Sequence, residues 1–322
     1  MFLSGSRRLQ TLANKSVPVW VASQQRNISK VTVIGAGLMG SGIAQVAAQA
    51  DYKVTMVDTT DAALQNGQNI IASSIKRVAR KKFAEDTKQQ DAFIEKAIAN
   101  IITSKDAEEA ASTADLVIEA IVENIDIKQK LFKGLDKAAP SSTIFATNTS
   151  SLPVTKIADA TSLDRQKRFA GLHFFNPVPA MKLVEVIRTE KLEDGVFQAL
   201  VEFSKKTGKT PVECKDTPGF IVNRLLVPYM MEAFRILERG EASAKDIDTA
   251  MKLGAGMPMG PIELADFVGL DTTKFIVDGW AKEGKIEPAL VKPCKVLDDL
   301  VSQGHLGRKT GKGYYEYSKD RK

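Results

Sequence analysis

The 322-residue chain has only two histidines and two cysteines, and no apolar run approaches the roughly 18 residues that a bilayer-spanning helix requires. The last absence excludes a helical membrane span. Cys214 and Cys294 lie far apart and form no CxxC pattern, so they supply neither a disulfide framework nor a zinc site, and a reducing compartment suits them. No metal site is expected. Acids are absent before Asp51, whereas Arg7, Arg8, Lys15, Arg26 and Lys30 are all within the first 30 residues. Taking those five from the 45 Lys and Arg leaves 40 against 39 Asp and Glu, so the formal charge of +6 falls to +1. The body of the chain therefore has no global electrostatic basis for binding nucleic acid.

The acid-free segment also holds Ser4, Ser6, Ser16, Ser23 and Ser29. On a helical wheel its Phe2, Leu9, Leu12 and Ala13 gather opposite Arg7, Arg8 and Lys15. This is the composition of a mitochondrial presequence, expected over residues 1–28.

A chain of this length with 43% hydrophobic residues buries a large core and is expected to divide in two. The first folded element is a strand, Val31 to Ile34, followed at once by Gly35-Ala36-Gly37-Leu38-Met39-Gly40 and an Ala-rich helix. Each glycine has a task. Gly35 allows the tight turn, Gly37 lets backbone approach a pyrophosphate, and Gly40 lets helix and strand pack closely, with the helix N-terminus aimed at the anion. A second strand, Val54 to Val57, ends in Asp58, placed to accept hydrogen bonds from an adenosine ribose. Thr59 and Thr60 follow, with no arginine for a 2′-phosphate, so NAD is expected rather than NADP.

From Ala62 to about Lys82 the pattern is helical, with Ile71, Ile75 and Val78 on one stripe and Lys76, Arg77, Arg80, Lys81 and Lys82 opposite. Such a face is either simply solvated or a platform for a polyanionic substrate handle, with Ser74, Arg77 and Lys81 aligned at offsets of three and four. Asp115 to Ala120 reads as a buried parallel strand, and its carboxyl-end loop places Glu123 and Lys128 to meet cofactor. The strand Thr143 to Ala146 leads into Thr147-Asn-Thr-Ser-Ser151, a cluster of small donors and acceptors.

Phe169 to Phe175 is a short apolar strand, Asn176-Pro-Val-Pro179 forces a turn, and Met181 to Ile187 returns as a second strand. This hairpin brings together His173 and Glu185, a candidate proton acceptor and the carboxylate that orients it. Beyond Asp216-Thr-Pro-Gly219 the chain turns helical. Phe220 to Arg239 is a long helix interrupted at Pro228, apolar enough at its start to pack on another subunit or domain, with Asn223 the polar exception. Gly307 to Tyr315 is a glycine-rich basic loop.

The glycine loop, Asn148-Thr-Ser-Ser151, His173 to Pro179, Met181 to Glu185 and Asp216 to Arg224 together resemble the short-chain L-3-hydroxyacyl-CoA dehydrogenases, in their mitochondrial form, from about Lys30 to Tyr317. The resemblance implies a Rossmann-like doubly wound α/β sheet over 29–216 and an all-α C-terminal domain over 217–322. It also implies a homodimer in the mitochondrial matrix that uses NAD to oxidise (S)-3-hydroxyacyl-CoA thioesters in fatty-acid β-oxidation. His173 falls on the family's catalytic base and Glu185 on its partner, while Ser150 and Asn223 fall on further catalytic positions and, with Asn176, on its substrate contacts, Ser150 and Asn176 also meeting cofactor. Its cofactor contacts fall on Gly35 to Gly40, Asp58, Glu123, Lys128 and Lys309, and its coenzyme A contacts on Ser74 and Lys81. Thr147 and Met257 depart from the family's serine and aromatic. Two other readings are a catalytically silent, crystallin-like NAD-binding protein and a dehydrogenase of free 3-hydroxyacids, which would need a lysine base.

Overall fold

The computed structural model describes residues 27–317; the presequence expected over 1–28 lies outside the described residues apart from its last two positions. Eight strands form one sheet: β1 (Lys30–Ile34), β2 (Lys53–Val57), β3 (Ile101–Ser104), β4 (Leu116–Glu119), β5 (Ile144–Thr147), β6 (Phe169–Phe174), β7 (Leu183–Arg188) and β8 (Thr210–Lys215). Their order is β3-β2-β1-β4-β5-β6-β7-β8, and every neighbouring pair is parallel except β6 and β7. The order reverses between β1 and β4, and the crevice at the carboxyl ends there is where a doubly wound sheet takes its ligand.

Helices α1 (Leu38–Gln49), α2 (Asp61–Phe83), α3 (Thr87–Ile98), α4 (Ala107–Ala111), α5 (Ile125–Ala138), α6 (Val154–Ala158), α7 (Leu163–Gln166) and α8 (Asp194–Lys206) accompany the sheet. Strand side chains alternate between its two faces. Val31, Val33, Leu116 and Ile118 pack with α1, α2 and α8, whereas Val117, Phe145 and Phe169 pack with α4, α5 and α6. Central strands buried on both faces explain why β4 and β5 read as continuous apolar runs in the sequence.

The remaining helices are α9 (Val222–Glu238), α10 (Ala244–Gly254), α11 (Pro261–Val268), α12 (Leu270–Glu283) and α13 (Lys295–Ser302). They close over a core of their own that includes Met231, Phe234, Ile262, Val277 and Trp280. The interruption expected at Pro228 does not occur: α9 runs through it. Its start is later than expected because Gly219 and Phe220, with φ of +77° and +52°, turn the chain before Val222.

The glycine-rich loop has a structural cause. Buried Asp266 accepts hydrogen bonds from the Tyr314 and Tyr315 amides at 3.0 and 2.9 Å and from the Tyr317 hydroxyl at 2.8 Å. A Cβ on Gly307 or Gly313 would lie 2.2 or 2.1 Å from Asp266 atoms, so only glycine lets the loop wrap that carboxylate. Replacing Asp266 by Ala strands three donors at once. Urea unfolding of that variant should show a loss of about 3 kcal/mol or more, with the helical part most affected.

Candidate active site

The antiparallel pairing of β6 and β7 sets His173 directly opposite Glu185. His173 Nδ1 donates to Glu185 Oε2 at 2.7 Å, which selects the tautomer whose lone pair is on Nε2. Both residues are buried. The other carboxylate oxygen, Oε1, accepts the Ile221 and Val222 amides at 3.0 and 2.9 Å, the N-terminus of α9. Burial alone would raise the Glu185 pKa. The bond from His173 and the two helix amides outweigh it and hold the carboxyl below its ordinary value. The imidazole is flanked by the rings of Phe175 and Phe220, with centroids 4.4 and 5.7 Å away.

At the opposite side of the crevice is the loop of the three glycines. Gly35 has φ of +107°, and a Cβ there would meet the Ala120 carbonyl at 2.5 Å. A Cβ on Gly40 would fall 1.8 Å from the Gly35 carbonyl oxygen, while Gly37 faces open space. Gly37 caps α1 without a side chain, so the first-turn amides stay open toward an anion. Asp58 Oδ2 accepts the Ala36 amide at 2.8 Å, so this carboxylate also braces the loop. The described residues do include a nearby cation that a search for arginine overlooks: Lys105, following β3, is neutralised by Asp61 at 2.9 Å.

Between these two halves lies an ionic chain, buried at Glu119 and Lys128 and reaching the surface at Glu123. Lys128 is 1% exposed, and its ammonium contacts Glu119 Oε1 at 2.5 Å and Glu123 Oε2 at 3.2 Å. Glu119 also accepts the Thr147 hydroxyl at 2.6 Å and the Ile121 amide at 2.7 Å. Glu123 in turn accepts the Thr149 hydroxyl at 2.6 Å and the Ser150 and Ser151 amides at 2.9 and 3.1 Å. Lys128 thus acts on the loop through Glu123, and its own ammonium is engaged by carboxylates. Glu119 escaped the sequence reading; the available signal was a lone acid inside an otherwise apolar strand, with a lysine following in the next helix.

Loop and helix meet where Asn223 Nδ2 donates to the Ser150 carbonyl at 3.1 Å, and Asn148 Oδ1 accepts the Phe174 amide at 2.8 Å. Ser150, Asn223, Glu123 and the His173–Glu185 pair therefore form one connected cluster. Asn176 is exposed just past Phe175, at a cis peptide to Pro177. Two expected contacts are placed differently. Ser74 is buried with Ile71 and Ile75 on the inner side of α2, so it does not share the solvent face of Arg77 and Lys81. Lys309, in the C-terminal loop, has its ammonium held by Asp271 at 2.6 Å. Among the described residues, no group of three or more His, Cys, Asp or Glu could hold a metal ion.

The family model described as 3-hydroxyacyl-CoA dehydrogenase, NAD binding domain, matches residues 30–217, and that of the C-terminal domain matches 219–317. The chain is 56% identical over 312 residues to the mitochondrial hydroxyacyl-coenzyme A dehydrogenase of Homo sapiens, covering 97% of this chain and 98% of that protein. It is 54% identical to the corresponding protein of Sus scrofa, with the same coverage. The crystal structure of (S)-3-hydroxybutyryl-CoA dehydrogenase from Ralstonia eutropha superposes with a TM-score of 0.85 at 43% identity, covering 91% of this chain and 100% of that one.

The cluster has an acid-side signature. Glu123 is held below the ordinary carboxylate value because, although burial raises it, the Lys128 charge, the Thr149 hydroxyl and the Ser150 amide lower it more. Unfolded, the carboxyl binds a proton at its ordinary, higher pKa. Its stabilising contribution is therefore complete above about pH 4.5 and is lost as pH falls through the lower folded value. Urea unfolding between about pH 6 and pH 3 should show a steeper loss for wild type than for Glu123→Gln.

Proposed function

This chain belongs to the 3-hydroxyacyl-CoA dehydrogenase family and catalyses NAD-dependent oxidation of 3-hydroxyacyl-CoA, and from that premise we propose that His173 is the catalytic base and Glu185 the group that orients and charges it. The observation that carries this reading is the 2.7 Å contact from His173 Nδ1 to a carboxylate whose second oxygen is already engaged by α9. The free Nε2 removes the proton of the substrate 3-hydroxyl, and Glu185 stabilises the imidazolium that forms. Bound NAD supplies the acceptor for the hydride leaving C3. The open Gly37 and the uncapped N-terminus of α1 fit its pyrophosphate, and Asp58 fits its adenosine ribose. Ser150, Asn176 and Asn223 hold the substrate oxygens; Glu123 and Lys128 shape the cofactor side of the same loop, and Lys309 completes the cofactor contacts once released from Asp271.

The exposed Lys81 takes the nucleotide end of coenzyme A from the solvent face of α2, away from the buried Ser74, and that remote binding energy helps orient the reacting carbon. A homodimer is supported by exposed apolar side chains on the helical part, with Leu225, Leu253 and Phe275 at 69%, 83% and 60% exposure. The same reading divides the chain into a presequence at 1–28, an NAD-binding part at 29–216 and a dimerisation and substrate part at 217–322. It places the enzyme in the mitochondrial matrix, at the third step of fatty-acid β-oxidation, in keeping with the naming of its relatives and the character of residues 1–28. The intact dyad argues against a silent crystallin-like role. A free-acid dehydrogenase needs a lysine base, yet the two buried lysines among the described residues, Lys128 and Lys209, are both bound by other groups.

Glu185→Gln should lower kcat by roughly 10²-fold or more while NADH affinity is retained, and removing His173 as well should add far less than its separate effect. Two losses that simply multiply in steady-state assays would show that the residues do not act as a unit. Lys81→Ala should raise KM for acyl-CoA several-fold and weaken its salt dependence without altering NADH binding; an unchanged KM would reduce this face of α2 to a solvated one.

A further inference from the structure

Lys209, between α8 and β8, is 7% exposed and has no carboxylate paired with it among the described residues. An unpaired buried ammonium is costly, so its surroundings must account for it. Its Nζ donates to two backbone carbonyls, those of Val178 and Met181, the latter at 2.8 Å. Both belong to the turn joining β6 to β7. Burial, with the neighbouring Lys182 charge adding to it, brings the ammonium's pKa down to about 8.

The turn has other attachments, among them the Thr210 amide, which donates to the Lys182 carbonyl at 2.7 Å. Within it, the Pro177 carbonyl accepts the Ala180 and Met181 amides, each at 3.0 Å. Outside it, Val178 is buried against Gly42 of α1, so closely that a Cβ on Gly42 would lie 2.7 Å from Val178 Cβ. One side of the turn thus rests on the helix whose N-terminus faces the cofactor, and the other is tied by Lys209 and by the Thr210 amide beside it. Asn176 and Phe175, whose ring packs on His173, enter this turn directly.

We infer that Lys209 is a positioning residue for the reaction: through the carbonyls of Val178 and Met181 it sets the stance of the turn that carries Asn176 past His173. The inference rests on the reading of His173 and Asn176 given above. The ammonium touches neither reacting atoms nor cofactor, and acts only through the backbone it holds.

The test uses the full-length enzyme with Lys209→Met, which keeps the unbranched stem one atom shorter and loses its donors, and Lys209→Arg, which keeps charge and donors. In Lys209→Met, kcat should fall about tenfold while NADH affinity stays within about twofold, the scale of loss expected from displaced substrate-positioning groups. Amide exchange at Ala180 and Met181 should accelerate while exchange in α13 is unchanged, and Lys209→Arg should recover a substantial part of kcat. Gly42→Ala pushes the same turn from the opposite side with Lys209 intact, and should reproduce both the kcat loss and the local exchange. The inference is overturned if Lys209→Met, or Gly42→Ala should the former not fold, keeps kcat within about twofold of wild type. It is equally overturned if the loss comes with faster exchange throughout and no recovery in Lys209→Arg, which marks a purely structural role. A His173→Ala enzyme that remains active would instead remove the underlying reading, whatever Lys209 does.

Discussion

The Glu185 carboxylate is where the two parts of the molecule become one. One oxygen fixes the imidazole of His173, and the other closes the N-terminus of α9, the first helix of the C-terminal part. A carboxylate buried without donors would take up a proton and lose its use; three directed donors keep it ionised. The approach of α9 depends on the turn before it. Gly219 and Phe220 are both left-handed, and a Cβ on Gly219 would lie 2.4 Å from the Trp280 ring, so this close junction is available only to glycine. Phe220 then faces the imidazole it helps enclose.

The second organising group is the Glu119–Lys128–Glu123 chain. One ammonium serves two carboxylates, and the carboxylates serve successive parts of one segment: Glu119 holds Thr147 at the end of β5, and Glu123 holds the Thr149 hydroxyl and the Ser150 and Ser151 amides just beyond it. A short polar loop with no regular structure thereby acquires a single conformation. Asn223 completes it from the helical side by bonding the Ser150 carbonyl. The loop is ordered by the charged chain beside it, and its own hydroxyls donate to Glu123.

How much of this was legible in the sequence depends on the range of the interaction. The glycine loop was readable because its three glycines fall within six residues directly after a strand, and the demands on Gly35 and Gly40 are visible in what a Cβ would meet there, the Ala120 and Gly35 carbonyls. The His173–Glu185 pair was readable because a hairpin brings its own arms together. Lys128 was placed at the correct strand end, but its attachment to Glu119 was hidden, since partner choice among buried charges depends on packing between elements. Ser74 was misjudged for a related reason: helical spacing groups residues on a stripe without saying where burial ends. Pro228 was read as a break, yet a proline removes one donor and crowds one carbonyl, and the packing of α9 against the helical core outweighs that local cost. The C-terminal glycines were read with the basic residues around them, although their reason is Asp266, some forty positions earlier.

That last arrangement bears on how the chain is made. The donors that satisfy Asp266 come from Tyr314, Tyr315 and Tyr317, and the hydroxyl of Tyr315 also reaches Asp248, whose carboxylate caps α11. The helical core is consequently locked from its far end, by residues that leave the ribosome after all the helices they secure. A product broken off before Tyr314 retains every helix and still lacks the clasp, leaving a buried carboxylate with no donors and a core open to proteolysis.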